Sequence, residues 1–246
     1  MLSCQQPSYL PWLGYFEQIR RAEKFIFLDS AQWTRQGTQH RTRLPSSPRS
    51  TEPQWLTIPV LGHGHRQKTL KDMQVDGATS WAKKHWQTIQ SVYGKAPHFK
   101  DQLEPILRPF YEKIAQEKFL IEICQESTYL FWETLELQTE VFWSSELPET
   151  GAASARLISL CQAVGERDYY SALGSTPYMD LSLFREAGIR VRWQHFRPYL
   201  SLERPINFSV LDWFAFEPAE KIRARLTGPI ILSNAIAAHL EPPTLN

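Results

Sequence analysis

Side chains that can bind anions or move protons fall where predicted strands end. They follow four short strand-like segments and comprise Gln6, Tyr9, Asp29, Gln32, Ser144, Ser145, Tyr170 and Ser171. In an open parallel sheet, ligands bind beyond the carboxyl ends of the strands, where the strand order reverses. We therefore expect these residues, which are distant in sequence, to meet at one edge of a sheet and to form a site there.

Asp29 and His85 are the candidate catalytic residues. Asp29 directly follows the apolar strand KFIFL and can act as a base toward an incoming amine or hydroxyl. His85 lies one helical turn after Trp81, and an imidazole can serve as acid or base near neutral pH. Both also have structural interpretations, which are an Asx turn with Ser30 for Asp29 and a core histidine bonded to the backbone for His85.

Arg35 and Arg41 are the candidate anion ligands. They belong to the most basic stretch of the chain, together with His40, Arg43 and Arg49. A guanidinium can hold a phosphate or a carboxylate through two parallel hydrogen bonds. The alternative for both arginines is a solvated charged arm.

Hydroxyl and aromatic side chains complete the candidate site. Serine hydroxyls can donate to phosphate oxygens, or they can cap the segment that follows. Tyrosine and tryptophan rings, such as Trp33, can stack on a sugar or a base, or they can belong to the core. The full set of candidate binding residues is Gln6, Tyr9, Trp12, Tyr15, Gln32, Arg35, Arg41, Ser144, Ser145, Tyr170, Ser171 and Tyr178.

Several signatures of common enzyme classes are absent from the sequence. There is no G-x-x-x-x-G-K-[ST], G-x-G-x-x-G, H-E-x-x-H or G-x-S-x-G, so kinase, dehydrogenase, zincin and α/β-hydrolase functions lack their core signals. His63 and His65 could join His40 or His85 in a metal site, but an exposed glycine-rich loop is the favoured interpretation. Cys4 is predicted to be a buried strand cysteine rather than a nucleophile. We expect neither a metal nor a cofactor.

Composition limits the partners and the compartment. The 246 residues include 27 Lys and Arg against 26 Asp and Glu, a formal net charge of +1, which argues against a nucleic-acid partner. The sequence contains no apolar run long enough for a membrane helix, so we expect no membrane insertion. Three cysteines without a C-x-x-C pair, and no secretory signal, predict a cytoplasmic protein. The oligomeric state stays open.

The elements that must position these residues alternate between strand and helix. Strands are predicted over 1–6, 24–28, 139–143, 167–172 and 189–196, and helices over 12–22, 153–164 and 181–187. This alternation predicts an α/β fold with a mostly parallel sheet and flanking helices. Residues 35–60 are predicted to form a basic β-hairpin excursion, 81–137 a helical insertion with helices at 81–93, 99–116 and 119–137, and 241–246 a flexible tail after a single domain spanning 1–240.

Several motifs in order resemble those of the WbqC-like protein family. They are Gln6-Pro7-Ser8-Tyr9-Leu10-Pro11-Trp12-Leu13-Gly14-Tyr15-Phe16, Phe25-Ile26-Phe27-Leu28-Asp29, Gln32, Arg41, Trp55-Leu56-Thr57-Ile58-Pro59-Val60, Trp81, His85, Tyr93-Gly94-Lys95-Ala96-Pro97-His98-Phe99, Tyr170-Ser171, Tyr178-Met179-Asp180 and Phe208-Ser209-Val210-Leu211-Asp212. The resemblance spans roughly residues 5–215. His40 and Ala172 depart from the family's Asn and Gly. Family members occur among genes for O-antigen and other surface polysaccharides and for modified small metabolites.

Two functions follow as expectations. The first is a transferase that moves a group from an anionic activated small molecule of the nucleotide-sugar, acyl or aminoacyl type. The second is a non-catalytic binding or scaffold protein of a glycan-assembly complex. A strand followed by a proline-rich turn and a helix also suggests the layout of HIGH-type nucleotidyltransferases, although Trp12 and Tyr15 occupy the two imidazole positions.

Overall fold

A six-stranded sheet forms the centre of the described structure. The computed structural model describes residues 1–62, 68–194, 196 and 207–227, and the backbone of 231–232. The strands are β1 (Leu2–Gln5), β2 (Lys24–Phe27), β5 (Glu140–Trp143), β6 (Asp168–Ala172), β7 (Arg190–Gln194) and β8 (Ile231–Leu232), in the order β5-β2-β1-β6-β7-β8. All neighbours are parallel except β8, which pairs antiparallel with β7. The predicted α/β fold with a mostly parallel sheet is confirmed.

The strand order reverses beside β1. The chain leaves β1 for β2 and β5 on one side, and it returns to β6 and β7 on the other side. The carboxyl end of β1 therefore lies at the switch point of the sheet, which is the place where open α/β sheets bind ligands.

Helices cover both faces of the sheet. Phe25 and Phe27 belong to the core that includes α1 (Leu13–Arg21), whereas Ile26 belongs to a second core with residues of α5 (Ala153–Ala163) and α6 (Leu181–Glu186). Successive strand residues point to opposite faces. A strand buried on both faces needs an unbroken apolar run, which is why KFIFL is apolar throughout.

The basic segment forms the predicted hairpin as a separate two-stranded sheet. It pairs β3 (Arg41–Pro45) antiparallel with β4 (Pro53–Thr57). The second strand ends at Thr57 rather than at Val60. The chain leaves the ladder there, because Val60 pairs with Val75 instead.

The predicted helical insertion begins as expected and then differs in detail. Helix α2 (Trp81–Tyr93) has the predicted bounds. The next helix begins with a π-helical turn over Phe99–Leu103 and continues as α3 (Glu104–Ile114), with a proline in its first turn. Helix α4 (Leu120–Tyr129) is shorter than the predicted 119–137, because the chain continues in turns and Glu136 adopts a left-handed φ of 52°.

The last described helices were not predicted from the sequence. They are α7 (Val210–Phe216) and α8 (Ala219–Arg225). Among the described residues, no helix combines the length and the apolar character that a bilayer crossing requires. The predicted 241–246 tail lies outside the described residues, and the single domain over 1–240 stays a prediction.

Candidate functional site

A cavity opens beside the carboxyl end of β1, between the start of α1 and the hairpin. Its volume is ≈ 320 Å³, within the range of about 300–1,000 Å³ that is typical of ligand sites. It is lined by Gln5, Ser8, Tyr9, Pro11, Trp12, Tyr15, Thr38, Arg41, Thr42, Arg43, Trp55 and Asn207. We call it the arginine cavity.

The loop between β1 and α1 is held in an unusual conformation. Leu10 has a φ of 41°, which is sterically unfavourable for a residue with a side chain. The Leu10 carbonyl accepts hydrogen bonds from the hydroxyls of Thr42 (2.8 Å) and Ser209 (2.9 Å). The Leu10 N–H donates to Ser127 Oγ (3.2 Å). These three bonds tie the wall of the cavity to the hairpin, α7 and α4.

The hairpin presents two arginines on one aromatic ring. Arg41 and Arg43 alternate along β3 and therefore share a face, and Trp55 lies opposite Arg43 on β4. The guanidinium carbons lie 4.3 Å and 4.6 Å from the centre of the Trp55 ring. Cation–π contact with Trp55 holds both guanidinium planes in place. Arg41 is also held by hydrogen bonds from its Nε to the Gly37 carbonyl (3.1 Å) and from its Nη2 to the Gln36 carbonyl, so its remaining N–H groups and those of Arg43 are the donors that can meet a carboxylate or phosphate.

The N-terminus of α1 forms the opposite wall. Trp12 is the N-cap residue, the first turn contains no acidic residue, and the last turn carries Arg20 and Arg21. The helix dipole therefore adds partial positive charge near Trp12. A Cβ atom at Gly14 would overlap the Trp12 ring, so the glycine allows this ring to pack over the first turn of the helix.

Substituting Gly14 tests this packing. An exposed helical Gly→Ala change ordinarily stabilises by about 0.5–1 kcal/mol, but here the new methyl group must displace the Trp12 ring, which costs about 1–3 kcal/mol. We expect Gly14→Ala to lower the free energy of unfolding by about 1 kcal/mol in urea titrations. Gly77→Ala, where a Cβ meets nothing within 4 Å, is the control. A stabilised Gly14→Ala protein would contradict this packing.

His85 lies behind the cavity and fixes Tyr9. The Tyr9 hydroxyl contacts His85 Nδ1 at 3.0 Å and also contacts the Tyr111 hydroxyl. Burial lowers the pKa of His85 to about 4, against a hydrogen bond to the Thr57 backbone that raises it. Burial also raises the pKa of Tyr9. His85 is therefore neutral at pH 7, and the hydrogen bonds of the Tyr9 hydroxyl with His85 and Tyr111 join the cavity wall to α2 and α3.

The burial of His85 makes stability depend on pH. In the unfolded chain this imidazole titrates near 6.5, whereas in the folded chain it titrates at about 4. The unfolded state therefore takes up the proton first, and stability is lost as the pH falls from about 6.5 to about 4. Between pH 7 and pH 4, we expect the free energy of unfolding of His85→Gln to fall by about 3 kcal/mol less than that of the wild type. If the wild type and His85→Gln lost the same free energy of unfolding between pH 7 and pH 4, His85 would not be the source of this pH dependence.

A second cavity lies on the other side of the loop that precedes the hairpin. It also measures ≈ 320 Å³ and is lined by Trp33, Arg35, His40, Thr57, Ile58, Pro59, Val60 and Gly62. Burial and the charges of Arg41 and Arg35 lower the pKa of His40 to about 4. Arg35 lines this second cavity, whereas Arg41 lines the arginine cavity. The candidate metal ligands His63 and His65 lie outside the described residues.

Asp29 is bound by the two serines that were predicted beside it. Asp29 Oδ1 accepts from Ser144 Oγ (2.9 Å) and from the Ser145 N–H (3.0 Å), and Oδ2 accepts from Ser145 Oγ (2.6 Å). These bonds join the carboxyl ends of β2 and β5. The three residues thus come together as expected, but none of them lines the arginine cavity.

The other predicted residues have separate partners outside the arginine cavity. The Gln6 side chain accepts a hydrogen bond from Gln39, Gln32 is exposed and pairs with Thr69, and Ser171 Oγ lies 2.7 Å from Ser175 Oγ. Tyr178 is 81% exposed. Of the predicted binding residues, Tyr9, Trp12, Tyr15 and Arg41 line the arginine cavity.

A buried polar cluster beneath α1 was missed. The Tyr170 hydroxyl donates to both oxygens of Glu17 (2.9 and 3.1 Å), which also accept from Arg21 Nε and from Gln194 Nε2 (2.7 Å). Gln18 links Gln194 to Gln5. Burial raises the pKa of Glu17 against the opposing hydrogen bonds and the Arg21 charge. We call these residues, with Ser3, the α1 polar cluster.

Comparisons with known proteins identify the family of the chain. The sequence profile of the WbqC-like protein family matches residues 6–224, which include every residue lining the arginine cavity except Gln5. The chain is also similar to the uncharacterized protein Rv1507c of Mycobacterium tuberculosis (strain ATCC 25618 / H37Rv), with 30% identity over 224 residues and 88% of each chain covered. No solved structure shows a significant match. The chain belongs to the WbqC-like protein family, as its motifs predicted.

Proposed function

We propose that this chain is a group-transfer enzyme that binds an anionic, activated small molecule in the arginine cavity. The observation that carries the proposal is the pair of guanidinium groups of Arg41 and Arg43 on the Trp55 ring. Arginines held in this way suit a phosphate or carboxylate, and the rings of Trp12 and Tyr15 in the same cavity suit a base or a sugar. Nucleotide-linked sugars and acyl or aminoacyl phosphates have this chemistry.

The arginine cavity suits transfer from an activated carrier, because this reaction needs the negative charge of the leaving carrier to be stabilised. When the carrier leaves as an anion, fixed cations near the leaving group stabilise the transition state. Arg41 and Arg43 would supply those cations. An amine or hydroxyl acceptor would attack from the opening, its new bond to the transferred group forming as the bond to the carrier breaks, and its proton would pass to the departing carrier or to solvent at the opening. In this proposal, His85 fixes Tyr9 and Asp29 fixes the rim of the sheet at β2 and β5. The product would serve surface-polysaccharide or modified-metabolite biosynthesis, as the family resemblance implies.

A panel of small molecules tests the proposal. AMP, UMP, UDP-glucose and acetyl phosphate are titrated by calorimetry, with adenosine and uridine as uncharged controls. A ligand present at 100 times its dissociation constant adds about 2.7 kcal/mol of stability, so a thermal shift gives an independent reading. Phosphorus NMR then follows consumption of each binding carrier in the presence of amines and hydroxyl compounds. The absence of binding by every anion would contradict the proposal.

A non-catalytic binding protein is the second candidate. The described part of the lining contains no His, Asp or Glu side chain, and both Asp29 and His85 are buried. A binding protein needs recognition but no proton transfer, so these two observations favour it. Tight binding of an activated carrier without its consumption, over a range of acceptors, would support this second function over the first.

A further inference from the structure

The side-chain amide of Gln5 belongs both to the arginine cavity and to the α1 polar cluster. Gln5 lines the cavity, and its Nε2 donates to Gln18 Oε1 at 2.9 Å. Gln18 Nε2 donates in turn to Gln194 Oε1 at 2.9 Å, and Gln194 Nε2 donates to the Gly14 carbonyl at 2.7 Å. Three amides thus form a continuous chain that ends at a backbone carbonyl in the first turn of α1.

The end of this chain determines the orientation of every amide in it. The oxygen and nitrogen of a glutamine side chain have nearly the same shape, so their positions follow from their partners. The Gly14 carbonyl can only accept, so Gln194 must turn its NH2 group to it and its oxygen to Gln18. Gln18 must then turn its NH2 group to Gln194 and its oxygen to Gln5. The NH2 group of Gln5 is therefore held toward Gln18, and its oxygen points away from the chain.

The Gln5 oxygen is an acceptor of fixed orientation in a cavity that also holds two arginines. It takes no hydrogen bond from any residue within the described ranges. Arg41 and Arg43 can only donate, and the hydroxyls of Ser8 and Thr38, 3.4 Å apart, can rotate to donate or accept. An acceptor whose orientation is enforced from behind selects its partner more strictly than a hydroxyl that adapts.

We propose that Gln5 Oε1 accepts a hydrogen bond from the ligand, so that the ligand carries an N–H or O–H donor in addition to its anion. The inference rests on the proposed function, because it assumes that the anion is held by Arg41 and Arg43. It narrows the ligand to molecules with an amine, amide or hydroxyl group near the anionic group. A ligand without that donor leaves the Gln5 carbonyl desolvated and unpaired, and such sites discriminate against it.

Two matched pairs of probes test the inference. Phosphoethanolamine carries an N–H donor that ethyl phosphate lacks, and glycerol 3-phosphate carries O–H donors that propyl phosphate lacks. Each is titrated into the wild type, into Gln5→Met, which keeps the length of the side chain but removes the acceptor, and into Gln87→Met as the control, because Gln87 is exposed on α2 and does not line the cavity. We expect the wild type to bind the donor-bearing member of at least one pair about fivefold to tenfold more tightly. We expect Gln5→Met to lose that preference and Gln87→Met to keep it.

The outcomes separate this inference from the proposed function. Gln5→Met must still bind the donor-free probes in an Arg41-dependent manner, and its far-UV circular dichroism shows that the variant is folded. The role of Gln5 is overturned if the preference survives in Gln5→Met, or if the wild type prefers neither donor-bearing probe. In either case, binding that depends on Arg41 still supports the proposed function. If none of the four probes binds in an Arg41-dependent manner, the proposed function fails and the inference fails with it.

Discussion

Replacing Arg41 and Arg43 together with alanine is expected to weaken the binding of a nucleotide to this protein by at least about 100-fold. Each guanidinium would make charge-assisted hydrogen bonds to the anion, and such bonds contribute about 1.5–3 kcal/mol each. Two of them amount to two or more powers of ten in the dissociation constant. The measurement is calorimetric titration of the nucleotide that binds best among AMP, UMP and UDP-glucose.

The hairpin itself supplies the control for this experiment. Arg49 lies at the exposed tip and does not line the cavity, so Arg49→Ala removes the same charge without touching the site. We expect its dissociation constant to stay within about twofold of the wild type, because exposed charges at a distance are screened by salt. Arg43→Lys keeps the charge but loses the planar contact with Trp55, and it should weaken binding by about tenfold. If Arg43→Ala and Arg49→Ala weakened nucleotide binding equally, the affinity would depend only on the net charge of the hairpin.

Glu17→Ala is expected to cause the largest loss of stability, about 3–5 kcal/mol in the free energy of unfolding. The Glu17 side chain is 2% exposed, and its partner Arg21 is 13% exposed. Removing the carboxylate leaves a shielded guanidinium without its counter-charge. It also removes the oxygens to which the Tyr170 hydroxyl and Gln194 Nε2 donate, and Gln194 Nε2 then keeps its bond to the Gly14 carbonyl. Urea titration of the variant and the wild type measures the difference.

Two further variants distinguish a buried network from a simple loss of charge. Glu23 is 79% exposed and pairs with the N-terminus, so Glu23→Ala should change stability by no more than about 1 kcal/mol. Glu17→Gln keeps an acceptor for Tyr170 and should cost less than Glu17→Ala. If Glu17→Ala were as stable as Glu23→Ala, the α1 polar cluster would not hold α1 on the sheet.

The elements of the fold could be predicted from local patterns, whereas the site depended on register and orientation. The apolar run KFIFL and the helix of residues 81–93 carry their periodicity in a few residues, and the structure has both. The contact of Arg41 with Trp55 depends on how the two hairpin strands pair, and the sequence of the tip does not determine that register. Arg43 and Trp55 therefore did not enter the predicted set of binding residues.

Two adjacent tyrosines show why the remaining site residues could not be assigned. Tyr169 and Tyr170 point to opposite faces of the sheet, so one packs on Phe184 and the other bonds to Glu17. The sequence does not say which of them faces α1, and Glu17 resembles any surface residue of an amphipathic helix. Asp29 illustrates a second limit: the rule that strand ends converge brought it to Ser144 and Ser145, but those serines occupy both of its oxygens.

The most direct test of the arginine cavity is the response of the nine tryptophan indole N–H signals to a bound nucleotide. Labelled tryptophan gives one resonance for each residue, and single Trp→Phe variants assign them. We expect the signals of Trp12 and Trp55 to move on titration, and that of Trp33, which lines the second cavity, to stay in place. Movement of Trp33 with Trp12 and Trp55 unchanged would contradict the proposed location of the site.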